Sequence, residues 1–486
     1  MTLYESLAQR IIDDIISLRL PAGSKLPALR VMARQNNISI NTATHTYHYL
    51  QQTGWIYAQP QSGYFVASRM QGAQFPTVAE LPLQSRDPRS FAPATGYNPE
   101  VNRFNPLGTS LLAPALLPEV ELQRTIKRVV RRANRSLFQY PEPQGDTLLR
   151  EALAQHFRSE YFAFSQDELV ITNSCLDAVR LAVETVTDKG DTIAVCSPCF
   201  SGLLDLLAEL SRDIVEIPVN QDGINLTTLE ACMAKGLISA ALLSTSNVNP
   251  IGITLPDEQK QAIARLAAHY QIPVIEDDAY LELSHRKRRI QPAKFWDTGG
   301  YMLWCSSVSK TLAPGLRLGW CLPGRYLSGY LQRHTKTSLG VNALMQASIA
   351  EFVMTGAYRS HLNKTRITLQ HQINQYRQFL LRHLPANSRV SIPDGGLVLW
   401  IHIPGLDAVK LEYLAREHGV DVRSGACFST HEIYHDCFRI NCGWPFNESD
   451  REDSVSTQLI TLCQLITDIP ESFKKPESSK NELFST

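Results

Sequence analysis

The N-terminal segment has the pattern of apolar and polar residues that is typical of a small helical domain. The apolar positions of its first helix are Leu3, Leu7, Ile11 and Ile15. This spacing of about one helical turn predicts a single buried face. A second helix is predicted at residues 28–35 and a third at residues 39–52, with Ser39 as its N-cap and Gly54 as its stop.

A pair of strands follows these helices. Residues 55–58 and 64–67 are rich in aromatic and β-branched side chains, and the turn between them contains Pro60, Ser62 and Gly63. This pattern predicts a β-hairpin. Three helices followed by a hairpin predict a winged helix-turn-helix domain over residues 1–68.

The rest of the chain has a different organisation. Residues 69–100 lose all periodicity and are rich in Pro, Gly, Ser and Gln, as expected of an extended linker. From residue 101 onward, helical patterns alternate with short apolar runs, which lie at residues 169–172, 192–195, 240–243 and 273–276. This alternation predicts an α/β domain with a mostly parallel sheet.

The C-terminal third of the chain predicts a smaller subdomain. After residue 323 the pattern becomes rich in helix, and strand-like runs follow at residues 396–400 and 437–440. These elements predict a C-terminal α+β subdomain that ends near residue 470. Residues 471–486 are polar and are expected to be disordered.

Charge and composition limit the class of protein. The 486 residues contain 47 Lys and Arg and 47 Asp and Glu, which excludes nucleic-acid binding through bulk positive charge. Residues 1–70 nevertheless carry a net charge of +3. No apolar run reaches the roughly 18 residues of a membrane span, and no signal peptide is recognisable. The sequence therefore predicts a cytoplasmic protein with reduced cysteines.

Two of the cysteines form a CxxC pair, Cys196 and Cys199. A redox or zinc role needs a thioredoxin-like context or a second pair of ligands, and the sequence indicates neither. The alternative is that both are incidental thiols at the end of a strand.

The N-terminal domain contains side chains suited to DNA. The second helix of a helix-turn-helix presents its N-terminal side chains to the major groove. In this chain those side chains are short and polar: Ser39, Asn41, Thr42, Thr44 and His45. A small helical domain with solvated polar faces has the same spacing and is the alternative.

Several motifs of this domain resemble the winged helix of GntR-type bacterial repressors. They are Gly23-Ser-Lys-Leu-Pro-Ala-Leu-Arg30, Ile38-Ser39, Asn41-Thr42 and Ser62-Gly63-Tyr-Phe-Val66, and they cover nearly the whole domain. The resemblance implies that Arg30 contacts a DNA phosphate or base and that the turn with Ser62 and Gly63 is the wing. Ile40 departs from the pattern, because such proteins often carry a basic residue there.

Reactive and charged groups follow several predicted strands of the large domain. Lys310 lies in a Ser-rich segment that continues to Arg317, which together offer an amine for a Schiff base and a cation for a phosphate. Asp277 ends an apolar strand, where α/β sheets place their ligands. Ser174 and Cys175 run from a strand into a helix, which suits an anion. Taken singly, these features also fit a basic surface loop, a solvated strand end and a turn.

The order and spacing of these segments resemble the fold-type I pyridoxal phosphate enzymes of the aspartate aminotransferase class, over about residues 101–468. The resemblance implies that Lys310 forms the aldimine with the cofactor and that Asp277 pairs with the pyridinium nitrogen, which lets the ring act as an electron sink. It also implies that Asn249 and Tyr280 bond the phenolic oxygen and that Phe200 stacks on the ring.

The same resemblance assigns groups to the phosphate and to a carboxylate. The groups that hold the phosphate are Ser174, Cys175, Ser307 and Arg317. Tyr140 reaches the phosphate of the neighbouring subunit, which implies a homodimer, and Arg439 clamps a substrate carboxylate. Two positions depart from the family pattern. Asn173 stands where Gly is usual, although Asn tolerates a left-handed backbone, and Ile251 stands where Thr is usual.

A GntR-like domain, a linker and an aminotransferase-like domain in one chain resemble the MocR subfamily of transcriptional regulators. This resemblance implies a regulator that binds pyridoxal phosphate and a double-stranded DNA operator and senses an amino compound, as a homodimer with crossed-over DNA-binding domains. A working aminotransferase is the alternative, because Lys310, Asp277 and Arg439 are all present. A racemase or lyase has less support, because no second base is obvious.

Overall fold

The computed structural model describes residues 3–16, 19–21, 23–52, 55–59, 62–66, 81–90, 106–132, 135–286, 289–431, 433–446 and 454–468. No helix within these ranges is long and apolar enough to cross a membrane. The predicted C-terminal tail and the linker residues 69–80 and 91–100 lie outside the described residues.

The N-terminal domain has the predicted helices and hairpin. Its elements are α1 (Leu3–Ile16), α2 (Leu29–Gln35), α3 (Ile40–Gln52), β1 (Ile56–Gln59) and β2 (Gly63–Val66). The two strands pair antiparallel, from Ile56 opposite Val66 to Gln59 opposite Gly63. The winged helix-turn-helix is therefore confirmed, with α2 and α3 each beginning one residue later than predicted.

The apolar spacing of α1 explains how this domain is held together. The core includes Leu7, Ile11, Ile15, Met32, Tyr47, Leu50 and Val66. Tyr47 also donates its hydroxyl to the backbone oxygen of Pro27 at 2.7 Å, which ties α3 to the segment before α2. Ser39 Oγ accepts the N–H of Thr42 at 3.0 Å, so the start of α3 is capped as predicted.

The large domain is built on a mixed sheet. Its strands are β3 (Val170–Thr172), β4 (Thr192–Ser197), β5 (Asp213–Asn220), β6 (Gly223–Ile224), β7 (Ala240–Leu243), β8 (Val274–Asp277), β9 (Met302–Ser307) and β10 (Gly319–Leu322). Their order across the sheet is β3-β10-β9-β8-β7-β4-β5-β6. The centre from β9 to β5 is parallel, as predicted. The sequence did not indicate β10, which runs antiparallel to both β3 and β9.

Helices cover both faces of this sheet. They are α4 (Glu119–Arg132), α5 (Thr147–Glu160), α6 (Cys175–Val186), α7 (Ser201–Glu209), α8 (Leu226–Ala234), α9 (Asp257–Tyr270), α10 (Leu327–Ser338) and α11 (Ala343–Met354). On β4, Ile193 and Val195 belong to one apolar cluster, whereas Ala194 and Cys196 belong to another. Burial of both faces explains why the central strands are apolar at successive positions.

Part of the predicted linker packs against the large domain. Arg86 exchanges both backbone hydrogen bonds with Ile214 of β5, at 2.9 and 2.8 Å. Nearby, Ser85 Oγ lies 2.9 Å from Thr192 Oγ1. A strand edge offers unpaired backbone groups, and this segment uses those of β5. Residues 85 and 86 of the predicted linker are therefore attached to the large domain.

The C-terminal subdomain has the predicted α+β composition. Its elements are α12 (Ala357–His383), β11 (Arg389–Val390), β12 (Val398–His402), α13 (Ala408–Glu417), β13 (Arg423–Ser424), β14 (Cys437–Asn441) and α14 (Val455–Asp468). The strands form an antiparallel sheet in the order β11-β12-β14-β13.

A buried carboxylate joins this subdomain to the large sheet. Glu216 on β5 accepts hydrogen bonds from the hydroxyls of Ser197 and Ser429. It also accepts the N–H and the hydroxyl of Thr430, at 2.6 and 2.8 Å. These donors compensate the desolvation of the carboxylate. Glu216 therefore fixes the segment between β13 and β14 to the large domain.

Glu216→Ala should lower the free energy of unfolding by about 3 kcal/mol, because it leaves buried donors without an acceptor. Urea unfolding measures this loss. Glu209→Ala removes an exposed carboxylate of α7 and should change the free energy of unfolding little. Equal losses in the two variants would contradict the role given to Glu216.

Candidate functional site

A cavity of about 220 Å³ opens where β7, β8 and β9 end. This edge of a parallel sheet is where α/β domains bind ligands. Nine of the residues predicted to bind the cofactor line the cavity: Ser174, Cys175, Phe200, Asn249, Asp277, Tyr280, Ser307, Lys310 and Arg317. The fold therefore brings together groups that are far apart in the sequence.

Lys310 lies in the turn after β9, with its amine at a defined position. Its Nζ donates to the backbone oxygen of Ser110 at 2.8 Å and lies 5.8 Å from the centre of the Tyr280 ring. Ser110 Oγ is in turn 2.7 Å from the Tyr280 hydroxyl. Sequence reasoning missed Ser110, because it lies in a segment without a motif, 200 positions before Lys310.

The two neighbouring carboxylates at the end of β8 have different surroundings. Asp277 lines the cavity, whereas Asp278 is buried and accepts the Nε1–H of Trp304 at 2.9 Å. Burial raises the pKa of Asp278 to about 8. Burial also raises the pKa of Asp277, but the hydrogen bond from Cys175 and the charge of Lys310 oppose that effect. Of the two carboxylates, Asp277 is therefore the one that a ligand in the cavity can reach.

The thiol of Cys175 forms a hydrogen bond with the carboxylate of Asp277. Its Sγ donates to Asp277 Oδ1 at 3.0 Å, and burial raises the pKa of the thiol, which keeps its proton available for donation. Cys175 is also the first residue of α6, so its backbone N–H lies at the helix start. The thiol of Cys175 thus contacts Asp277, and its phosphate role stays a prediction.

The start of α6 forms one polar end of the cavity. Ser174 is the N-cap, and its Oγ accepts the N–H of Asp177 at 3.0 Å. Free N–H groups at a helix start favour an anion. Gly319 on β10 lies so close that a Cβ there would be 2.4 Å from the carbonyl carbon of Ser174. Arg317 is exposed and left-handed at φ 48°, whereas Asn173 has no positive φ. The loop thus keeps its shape without a left-handed residue at 173.

Two asparagines after β7 have different partners. Asn247 Nδ2 donates to the backbone oxygen of Tyr280 at 2.7 Å. Asn249 Oδ1 accepts from Arg439 at 3.3 Å. Asn249 alone was predicted as a site residue. Asn247 was missed because its sequence context equally indicates a turn, and its contact with Tyr280 depends on the fold.

Arg439 on β14 is buried beside the cavity. Its terminal nitrogens donate to Asn249 and to the backbone oxygen of Gly108, and its guanidinium lies 5.4 Å from the centre of the Phe428 ring. Its Nε has no hydrogen-bond partner among the described residues. Burial lowers the pKa of Arg439. A desolvated guanidinium with an unused donor is suited to a carboxylate.

Tyr140 is not among the residues that line this cavity. It is 85% exposed and follows the short 3-10 helix Arg135–Phe138. A contact with a neighbouring subunit is therefore sterically open to it, and its assigned role stays a prediction.

The predicted DNA-contacting residues lie at the surface of the N-terminal domain. The exposed ones are Arg30, Ser39, Asn41, Thr44, His45 and Gly63, and the half-buried ones are Thr42 and Ser62. Gly63 has φ 108°, a conformation that favours glycine and suits the tight turn of a wing.

The CxxC pair lies within the core. Cys196 and Cys199 are both buried. Burial raises the pKa of Cys196 to about 11 and that of Cys199 well above its ordinary value. Protonated, buried thiols are poor nucleophiles, so the geometry favours two incidental thiols over a redox pair.

Gly319→Ala should weaken the binding of a phosphate-bearing cofactor, because the new methyl group would collide with the Ser174 backbone. We expect the dissociation constant to rise about tenfold, as measured by titrating the apoprotein with pyridoxal phosphate. Gly329→Ala on α10 places its methyl group at an ordinary 3.6 Å from Thr185 Cγ2 and should leave the constant unchanged. Equal affinity of the two variants would contradict the assignment of the phosphate end.

Cys175→Ala should raise the pKa of Asp277 further, because the thiol hydrogen bond lowers it. A less ionised Asp277 pairs less well with a ring nitrogen. Pyridoxal phosphate should therefore bind about threefold to tenfold more weakly at neutral pH, in the same titration. Cys175→Ser retains a donor and should bind normally. If both variants matched the original protein, the thiol would have no influence on Asp277.

The sequence matches the profiles of two families. Residues 3–66 match the bacterial regulatory proteins of the gntR family, and residues 114–451 match aminotransferase class I and II. The chain is 32% identical to the uncharacterized HTH-type transcriptional regulator YdcR of Escherichia coli, over 96% of this chain and 99% of that protein. It is 24% identical to the probable rhizopine catabolism regulatory protein MocR of Rhizobium meliloti, over 82% and 81% of the two chains.

Solved aminotransferases share the fold of the large domain and its subdomain. The multiple substrate aminotransferase of Thermococcus profundus superposes with a TM-score of 0.70 at 21% identity, over 79% of this chain and 98% of that one. The kynurenine aminotransferase of Pyrococcus horikoshii has a TM-score of 0.68 at 23% identity, over 75% and 92% of the chains. The chain therefore belongs to the MocR subfamily of GntR-type transcriptional regulators, in which a DNA-binding winged helix is joined to an aminotransferase class I and II domain with pyridoxal phosphate as its cofactor.

Proposed function

We propose that this pyridoxal phosphate-dependent regulator senses an amino compound that also carries a carboxylate. The observation that carries the proposal is the buried guanidinium of Arg439, whose Nε has no hydrogen-bond partner within the described ranges. An amino acid offers a carboxylate to Arg439 and an amine to the Lys310 end of the cavity. Among small amino compounds, those without an anionic group leave this donor unsatisfied.

The groups that line the cavity fit pyridoxal phosphate. The N–H groups at the start of α6, with the hydroxyls of Ser174 and Ser307, suit the phosphate. Asp277 suits the ring nitrogen, and Phe200 supplies an apolar face for the ring. When bound, the cofactor supplies a carbonyl carbon that forms an imine with an amine and a ring that withdraws electrons. Lys310 is the amine of this chain that serves that carbon.

The Lys310 amine has a defined position beside the cavity. In that position Nζ donates to the backbone oxygen of Ser110 at 2.8 Å. Tyr280 is joined to Ser110 by its hydroxyl, and Asn247 holds the backbone of Tyr280. These contacts would hold the Lys310 amine close to the cavity whenever it is not bonded to the cofactor.

An effector carboxylate that pairs with Arg439 through two parallel hydrogen bonds takes the unused Nε and one terminal nitrogen, so it must compete with the present partners of the terminal nitrogens. Those partners are Asn249 on the large domain and Gly108 in the segment before α4, while Arg439 itself lies on the C-terminal subdomain. Competition at Arg439 therefore alters contacts between three parts of the chain. For DNA affinity to change, the effector must bind the two DNA-binding geometries unequally.

The regulator acts as a homodimer in this proposal. Val130 of α4, Phe138 and Met354 of α11 are 52%, 88% and 64% exposed on elements that contact one another. Exposed apolar groups on adjoining elements favour an interface. Tyr140 follows the same segment and, in the dimer, extends toward the phosphate end of the partner subunit. Each winged helix then lies near the large domain of the other chain.

A working aminotransferase is the second candidate. Lys310 and Asp277 lie around one cavity with Arg439 beside it, and these groups serve turnover as well as sensing. Sustained release of a 2-oxo acid from an amino acid would favour the enzyme. A spectral change of the cofactor without product would favour the sensor.

Footprinting of the DNA upstream of the protein's own gene tests the proposal. Protection should differ between the apoprotein and the holoprotein and should change when amino acids are added. Arg439→Gln should keep the visible imine absorbance but require at least about tenfold more amino acid for the response, because a charge-assisted pair is lost. Arg333→Gln on α10 removes an exposed charge and is the matched control.

Lys310→Ala, in the same assay, should lose the imine absorbance and the response together. An unchanged response in Arg439→Gln would contradict the carboxylate site. An unchanged imine spectrum in Lys310→Ala would contradict the assignment of the lysine.

A further inference from the structure

The recognition helix α3 has an unusual composition for a DNA-reading element. Its sequence INTATHTYHYLQQ contains no Lys, Arg, Asp or Glu. The positive charge of the domain comes from other segments, including Arg30 and Arg34 of α2. The commonest specific contact in the major groove pairs Arg or Lys with the O6 and N7 atoms of guanine. The helix that enters the groove cannot form that contact.

The exposed face of α3 begins with an apolar side chain. Ile40 is 53% exposed, and Asn41 and Thr44 are exposed beside it, whereas Ala43 and Tyr47 face the core. Ile40 and Thr44 are one helical turn apart, so their side chains are neighbours on the surface. A solvent-facing Ile loses nothing by leaving water for an apolar partner, and the burial of its methyl groups is favourable.

The hydrogen bonds of this face show which groups are left for a base. Thr44 donates its hydroxyl to the backbone oxygen of Ile40 at 2.9 Å, so its methyl group is the part it can offer. Ser39 and Thr42 bond each other, with their hydroxyl oxygens 2.8 Å apart. The amide of Asn41 forms no hydrogen bond with any residue that the structure describes.

We infer that α3 reads A·T base pairs. The Asn41 amide pairs with adenine N6 and N7, and the methyl groups of Ile40 and Thr44 contact the C5-methyl group of thymine. Both contacts follow the donor, acceptor and methyl pattern of the major groove. The inference rests on the DNA-binding function of this chain and adds which base pairs α3 contacts.

Selection from random duplex DNA with the full-length holoprotein supplies the site for the test. Each thymine of the selected half-site is then replaced by deoxyuridine, which removes only the C5-methyl group. At the contacted position, affinity should fall about fourfold, the effect of withdrawing one methyl group from an apolar contact.

The double variant Ile40→Ala/Thr44→Ser should bind the thymine and deoxyuridine duplexes with nearly equal affinity, because both apolar partners of the methyl group are gone. Val31→Ala is the matched control, since Val31 is an apolar residue of α2 that is 47% exposed and does not lie on the recognition helix. It should retain the full difference between the two duplexes. Asn41→Ala should lose the preference for adenine at one position and keep the deoxyuridine effect.

A deoxyuridine effect that is absent from every position, or that persists undiminished in the double variant Ile40→Ala/Thr44→Ser, would overturn the inference while leaving DNA binding intact. A selected half-site without A·T pairs would do the same. Failure to enrich any sequence would contradict the DNA-binding function itself, together with the inference.

Discussion

The buried guanidinium of Arg439 is the interaction on which the arrangement of the site depends. Removing a positive charge from water is costly unless hydrogen bonds replace the water. The hydrogen bonds to Asn249 and Gly108 replace only part of this water, because Nε has no partner in the described part of the chain. The guanidinium of Arg439 therefore holds the site together and still has one unused N–H donor. A ligand carboxylate can accept the hydrogen bond from this donor.

Two buried groups join the C-terminal subdomain to the large sheet in different ways. Hydroxyl and backbone donors bond both carboxylate oxygens of Glu216. This contact between the subdomain and the sheet is therefore fixed. Arg439 has an unused donor, Nε, so the contacts of its guanidinium can include a ligand in place of a protein partner. The segment that carries Gly108 enters the large domain soon after the linker. A change at Arg439 can thus reach the segment that carries Gly108 through a single hydrogen bond.

Local patterns predicted much of this structure, since helix faces and strand ends are determined by short stretches of sequence. The buried stripe of α1, the cap at Ser39 and the position of Asp277 at a strand end all follow from such stretches. Contacts between distant segments could not be predicted in this way. Ser110 beside Lys310, the close approach of Gly319 to Ser174, and the pairing of Arg86 with Ile214 depend on the fold. The strand β10 was missed because four residues that begin with a glycine are too short a run to indicate a strand, and its reversed direction depends on the fold.

The central claim is that the cofactor cavity and the DNA-binding domain are coupled. Coupling of two binding sites is reciprocal, so DNA must change the affinity for the cofactor by the same factor as the cofactor changes the affinity for DNA. The most direct measurement is the dissociation constant of pyridoxal phosphate with and without saturating operator DNA. The account predicts two different constants, with a ratio equal to that of the DNA affinities of holoprotein and apoprotein. Identical constants would contradict it.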